Sequence, residues 1–274
     1  MNATENNASD VAPDGTRYAL RGPEGAPVVV MIHGLGLNRA CWQWTVPALI
    51  GDYRVLSYDL YGHGGSADPS DAPSLTLFSQ QLYGLMDHCG IPRAVITGFS
   101  LGGMIARRFA QDNSDRLQGM ILLHTPHLRS AAAQAAILER VRQARLEGPD
   151  ATVEAALERW FTDGFRAQNP AMMETVRGWV MANRREVYHR IYAVLAEGID
   201  EITAPEPPLT CPALVITGDE DYGNGPEMTH AIAAEIPGAE ALILQGLRHM
   251  ALAEAPEAIN APIRQFLDHL ALRP

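Results

Sequence analysis

The chain of 274 residues contains no lysine: all 21 of its basic residues are arginine. Without an ε-amino group there is no Schiff-base chemistry, no lysine-anchored pyridoxal cofactor and no P-loop, whose lysine reaches the nucleotide phosphates. Positive charge is also outnumbered, since 32 acidic residues leave a net charge of −11. Nucleic acid and anionic membrane surfaces both need clustered cations, so neither is an expected partner. Cysteine is scarce: Cys41, Cys89 and Cys211 are odd in number, far apart and without ligand spacing. That argues against a disulfide framework or a zinc site, and for three small packed side chains. No apolar run approaches the length of a membrane span. The polar opening Met1-Asn2-Ala3-Thr4-Glu5-Asn6-Asn7 has neither a basic stretch nor an apolar core. It reads as a frayed tail and points to the cytoplasm rather than to export.

What is present is a core-forming composition, 47% hydrophobic and 19% charged, enough to exclude global disorder. Short β-branched runs recur at Val28–Ile32, Val55–Tyr58, Ala94–Thr97 and Met120–Leu123. They read as strands buried on both faces, the mark of βαβ units and a mainly parallel sheet. Leu75, Phe78, Leu82, Leu85, Met86 and Cys89 form one apolar helical stripe between them. From about Leu128 to Glu197 the strand signal disappears, and the spacing predicts about four helices, with breaks at Gly148-Pro149 and Asn169-Pro170. A proline-rich connector, Ala204-Pro205-Glu206-Pro207-Pro208, follows. Strand patterning then resumes at Ala213–Thr217 and Ala241–Leu244, and a helix from about Pro256 to Leu270 closes the chain.

Gly98-Phe99-Ser100-Leu101-Gly102 stands where one such strand turns into a helix. This is the context of a nucleophile elbow, in which a sharp turn exposes a serine and flanking glycines let strand and helix approach. A serine hydroxyl is a weak nucleophile until a base takes its proton and donors hold the resulting oxyanion. His33-Gly34-Leu35-Gly36, directly after a buried strand, supplies the loop from which one oxyanion donor comes; the other is the amide after the nucleophile. The expected donors are therefore the N–H groups of Leu35 and Leu101. The acid and base should follow in that order, and two later strand ends offer them. Gly218-Asp219-Glu220-Asp221 carries the carboxylates, and Gly246-Leu247-Arg248-His249-Met250 carries the histidine.

These motifs resemble those of the α/β-hydrolase superfamily, in particular 3-oxoadipate enol-lactonases and related small carboxylesterases. The resemblance covers about residues 26 to 126 and 210 to 270. It includes Tyr58-Asp59-Leu60-Tyr61-Gly62-His63-Gly64-Gly65-Ser66 and the Glu254-Ala255-Pro256-Glu257 that follows His249. It implies an α/β fold with a mostly parallel sheet of about eight strands flanked by helices. Residues 1–127 and 206–274 would form the core, and 128–205 a helical lid inserted after the sixth strand. The family pattern puts the acid three residues past Gly218, at Asp221, with Asp219 as the rival and Glu220 behind it. It implies a cofactor-free serine hydrolase of a small carboxylic ester or lactone, with Ser100, Asp221 and His249 as the triad.

Trp42, His127, Trp160 and Met250 are the expected pocket residues, with Trp44 beside them. His33 is read as a structural support of the oxyanion loop, and Gly62-His63-Gly64-Gly65-Ser66 as a tight turn beside the site rather than a phosphate cradle. An enol-lactonase would need a cation for its substrate carboxylate, for which Arg39, Arg129 and Arg166 are candidates; most arginines of the helical segment read as a solvated face. No metal site is expected, because His124, His127 and His189 lack ligand spacing. Two alternatives remain: a C–C bond hydrolase, whose relatives carry tryptophan where this chain has Met250, and a small-molecule receptor on the same fold.

Overall fold

The computed structural model describes residues 10–270 and Leu272; the polar opening 1–7 lies outside them. Eight strands form one sheet: β1 (Asp10–Val11), β2 (Arg17–Arg21), β3 (Val28–Ile32), β4 (Arg54–Tyr58), β5 (Ala94–Phe99), β6 (Leu117–Leu123), β7 (Ala213–Gly218) and β8 (Glu240–Leu244). Their spatial order is β1-β2-β4-β3-β5-β6-β7-β8, antiparallel for the first two pairings and parallel from β4 to β8. The C-terminal ends of β3, β5, β6, β7 and β8 therefore open on one edge. Functional loops converge there in a parallel sheet.

The middle of the sheet is buried on both faces because β3, β5, β6 and β7 are apolar at nearly every position. Val29, Met31, Val55, Val95 and Ile121 pack into one core, and their neighbours Val30, Ile32, Leu56, Ile96 and Leu122 into the other. Successive side chains of a strand point to opposite faces, so each run supplies two cores at once. Burying one such side chain contributes about 1.5–3 kcal/mol.

Eleven α-helices are found among the described residues. The first three are α1 (Val46–Leu49), α2 (Leu75–His88) and α3 (Leu101–Asp112). Ser74 caps α2 by accepting from the Leu77 amide at 3.1 Å, and Phe78, Leu82 and Leu85 are its buried stripe. Between β6 and β7 come α4 (Ala131–Glu147), α5 (Asp150–Trp160), α6 (Asp163–Gln168), α7 (Pro170–Met181) and α8 (Arg185–Glu197). The expected count of about four is one short. The extra helix, α6, has six residues, too few for an apolar period to show, and exists because Thr162 caps it by accepting from the Phe165 amide. The chain ends with α9 (Pro226–Glu235), α10 (Ala251–Glu254) and α11 (Pro256–His269).

Candidate active site

Ser100 follows β5 directly and precedes α3, with φ 55° and ψ −116°. A side chain at positive φ is strained. The close approach of β5, α3 and β3 enforces it. A Cβ on Gly98 would stand 2.2 Å from the Gly102 carbonyl oxygen, and one on Gly102 2.2 Å from that of Ile32. Neither position admits a side chain, so the turn stays sharp and Ser100 projects from the sheet edge into a cavity. Leu35, Trp160, Asp221 and His249 share its lining.

The oxyanion loop lies against the serine: a Cβ on Gly34 would be 3.2 Å from Ser100 Cβ. Neither the Leu35 nor the Leu101 amide has an acceptor among the described residues. Leu101 opens α3, so the positive end of that helix dipole also faces the site. Two neutral histidines hold the loop. His33 Nε2 accepts from the Leu60 amide at 2.9 Å and its Nδ1–H donates to the Gly34 carbonyl at 2.8 Å. His63, from the glycine-rich turn, accepts the Gly36 amide on Nε2 at 3.0 Å. That gives the turn a definite task beside the site.

Protonating either ring would abolish the acceptor that its amide needs. Burial lowers the His33 pKa to about 4, and burial together with His33 lowers that of His63 to about 3. Below about pH 6.5 the unfolded chain takes a proton at each of these positions while the fold refuses it. Stability is therefore expected to be flat above that pH and to fall toward pH 4, by up to about 1.4 kcal/mol per pH unit for each ring. Urea midpoints at pH 7.5, 5.5 and 4.5 check this; a midpoint unchanged at pH 4.5 would contradict it.

Asp221 sits three residues beyond the end of β7, and its carboxylate accepts four hydrogen bonds. Oδ1 takes the Gly223 and Asn224 amides at 3.1 and 3.0 Å. Oδ2 takes His249 Nδ1–H at 2.7 Å and His124 Nδ1–H at 2.9 Å. Burial opposes the charge, but the two histidines outweigh it and hold the carboxyl far below the usual carboxylate range. Asp221 thus stays ionised and fixes His249 in the tautomer whose Nε2 is an acceptor. The rivals lie elsewhere: Asp219 is exposed and accepts the Gly246 amide at 2.7 Å, and Glu220 approaches Arg248 at 3.5 Å.

His249 is 6% exposed, as is Ser100. Phe99 and Trp160 flank its ring at centroid distances of 4.9 and 6.0 Å. Ser100 Oγ and the imidazole share the cavity without a hydrogen bond between them; such a contact often tightens only when substrate is bound. Among the described residues, His124, Asp221 and His249 are also the one grouping with donor atoms close enough to suggest an ion. The direct ring-to-carboxylate hydrogen bonds account for that proximity.

His124, at the end of β6, has φ 50° and is fully buried. Sequence reasoning missed its contact with Asp221, which depends on a strained backbone that no spacing signals.

Of the expected pocket residues, Trp160 lines the cavity and three others do not. Trp42 is fully buried in the core, because the turn after Asn38 drives it inward. His127 turns to Glu235 at 2.9 Å, drawn by the acid that also pairs with the buried Arg107. Met250 packs in the core while its amide donates to the Trp160 carbonyl at 2.8 Å. Trp44 lies tilted against Trp179 instead, with ring centroids 6.4 Å apart. Of the candidate cations, Arg39 pairs with Asp59 at 2.5 Å and Arg166 with Asp163 at 2.9 Å. Arg129 lines the cavity, joined by Arg140 and Arg159.

A strand-to-helix serine, an amide-bearing loop after β3, and an acid and a histidine after β7 and β8 on one eight-stranded sheet define a hydrolase fold. The chain belongs to the alpha/beta hydrolase family, whose sequence profile matches residues 29–261. It is 27% identical to the (E)-2-((N-methylformamido)methylene)succinate hydrolase of Acinetobacter baylyi, over 92% of this chain and 94% of that protein. It is also 27% identical to 3-oxoadipate enol-lactonase 2 of the same organism, over 95% and 94%. The crystal structure of the enol-lactonase from Burkholderia xenovorans LB400 superimposes with a TM-score of 0.85 at 29% identity, covering 92% of this chain and 96% of that one. No described helix is long and apolar enough to cross a membrane.

Proposed function

We propose that the chain is a serine hydrolase that cleaves a carboxylic ester or lactone of a small molecule through an acyl-enzyme. The observation that carries this reading is the strained Ser100 turn, which faces the same cavity as His249 beside two amides without an acceptor among the described residues. Ser100 Oγ attacks the carbonyl carbon while His249 Nε2 takes its proton, a step worth roughly 10²- to 10⁴-fold. The Leu35 and Leu101 amides receive the oxyanion, each worth about 3 kcal/mol in the transition state. Collapse of the adduct breaks the ester bond, and His249 returns the proton to the departing alkoxide. Water, deprotonated by His249, then releases the acid and restores Ser100.

In this reading residues 128–205 are the lid, and 1–127 with 206–274 the core that carries the triad. Support for the lid comes from α4, α5 and α8, which contribute Ile137, Ala156, Trp160 and Tyr188 to the cavity wall. The enol-lactonase relatives support the ester or lactone class, and the succinate-hydrolase relative supports hydrolysis more broadly. A fluorophosphonate probe followed by peptide mass mapping tests it: the expected adduct is on Ser100 alone. An unlabelled protein that still hydrolyses p-nitrophenyl acetate would overturn the nucleophile.

A further inference from the structure

We propose that Arg129, Arg140 and Arg159 form a dianion subsite in this cavity, so that the substrate carries two free carboxylates beside its scissile carbonyl. The proposal rests on the reading of the cavity as the substrate site. All three arginines line it together with Ser100, and among the described residues no carboxylate is within salt-bridge reach of any of them.

The missing counter-charge is not for want of acids, which outnumber cations by 11 (32 − 21) along the chain. Other arginines of the same helical segment are neutralised: Arg142 by Glu139 at 2.6 Å, Arg177 by Glu154 at 2.6 Å, Arg166 by Asp163 at 2.9 Å. Arg145, Arg185 and Arg190 of the segment also lack an acid within reach among the described residues, but all three are exposed to water, whereas Arg129, Arg140 and Arg159 are half-buried around one cavity. Burial, and then the charge of Arg140, lower the pKa of both Arg129 and Arg159, so Arg140 lies electrically between the other two. A half-buried cluster of like charge is costly, and a bound anion relieves the cost.

The donor inventory sets the number of anionic groups. Arg129 is anchored through its terminal nitrogens, which donate to the Leu195 and Ala196 carbonyls at 3.1 and 3.4 Å. These carbonyls belong to the last turn of α8, whose dipole favours a cation there. Arg140 spends Nε on Tyr192 Oη at 3.1 Å, which leaves its two terminal nitrogens for a ligand. Arg159 spends no donor on any described residue. Two guanidinium forks are thus available, and each matches one carboxylate in a bidentate pair. Ile137, Ala156 and Leu195 supply apolar surface for the carbon chain between them.

Calorimetric titration of the full chain with succinate, glutarate, butyrate and 1,4-butanediol tests the subsite without requiring turnover. A dicarboxylate is expected to bind at least about ten-fold more tightly than butyrate, and the diol not at all. Arg140→Gln and Arg159→Gln are each expected to bring succinate down to the affinity of butyrate. Arg142→Gln, on an outer arginine with its own acid, keeps the preference. Removing one like charge should also raise the melting temperature of the first two variants in the absence of ligand. Equal affinity for succinate and butyrate, or first two variants that bind as the parent does or melt below it, would overturn the proposal. Ser100→Ala retains dicarboxylate binding, so loss of the nucleophile assignment and loss of the subsite are separately visible.

Discussion

Replacing Ser100 with alanine is expected to lower kcat for p-nitrophenyl acetate by about 10⁶-fold, the scale on which removal of a serine nucleophile disables a hydrolase that works through a triad. The loss should stop short of the uncatalysed rate, because the Leu35 and Leu101 amides remain and such a hole with its binding site retains about 10³-fold over water. The fold should be indifferent to the change. Ser100 is 6% exposed and its hydroxyl has no hydrogen-bond partner among the described residues. A second substitution separates chemistry from strain. Ser100→Gly removes the same oxygen but also relieves φ 55°, so it should be equally inactive and more stable than the alanine variant by about 1 kcal/mol. Thermal melts of both variants beside their rates read the two effects independently. An alanine variant with a tenth of parental kcat would show that Ser100 does not attack.

That strain also explains which parts of the site are legible in the chain. The elbow is readable because Gly98 and Gly102 leave no room for a Cβ, and a physical requirement of this kind writes itself into residue type. Ser100, Asp221 and His249 each follow an apolar strand, so period and order along the chain bring them to one sheet edge. Strands β1 and β2 carry no such mark. The first has two residues and the second is bounded by Arg17 and Arg21, with only Tyr18 and Ala19 buried. Their structure comes from pairing, β2 with β4 and β1 with β2, and not from their own pattern.

The cavity wall was the least legible part. Helical spacing states that Arg140 and Arg159 share faces of their helices with other charged groups, and a solvated face is the ordinary meaning. Which face meets the cavity depends on how α4, α5 and α8 lie across the sheet, a matter of tertiary packing. The same limit misdirected the reading of Trp42, His127 and Met250. Each is adjacent in sequence to a functional segment, and each is turned away by a local contact: the turn after Asn38, the Glu235 carboxylate and the Trp160 carbonyl.

Asp221→Asn is expected to lower kcat by about 10⁴-fold, through the tautomer of His249 and with little change in shape. An amide offers one acceptor oxygen and one donor group where the carboxylate offered four acceptor positions. The four incoming donors are of two kinds. The Gly223 and Asn224 amides are fixed by the backbone and cannot change role, whereas each imidazole can move its proton to the other nitrogen. The asparagine oxygen therefore turns to the backbone amides and its NH₂ to the rings. His249 answers by accepting on Nδ1 and carrying its proton on Nε2, where it faces Ser100 as a donor and takes no proton from it. His124→Leu removes one of the four donors and leaves that tautomer alone, so its cost in kcat should be nearer ten-fold, the scale of one lost hydrogen bond to a charged group. Rates for the two variants over pH 6 to 9 measure the contrast. If Asp221→Asn and His124→Leu fall by the same factor, the carboxylate acts on His249 by placement alone, and the tautomer argument fails.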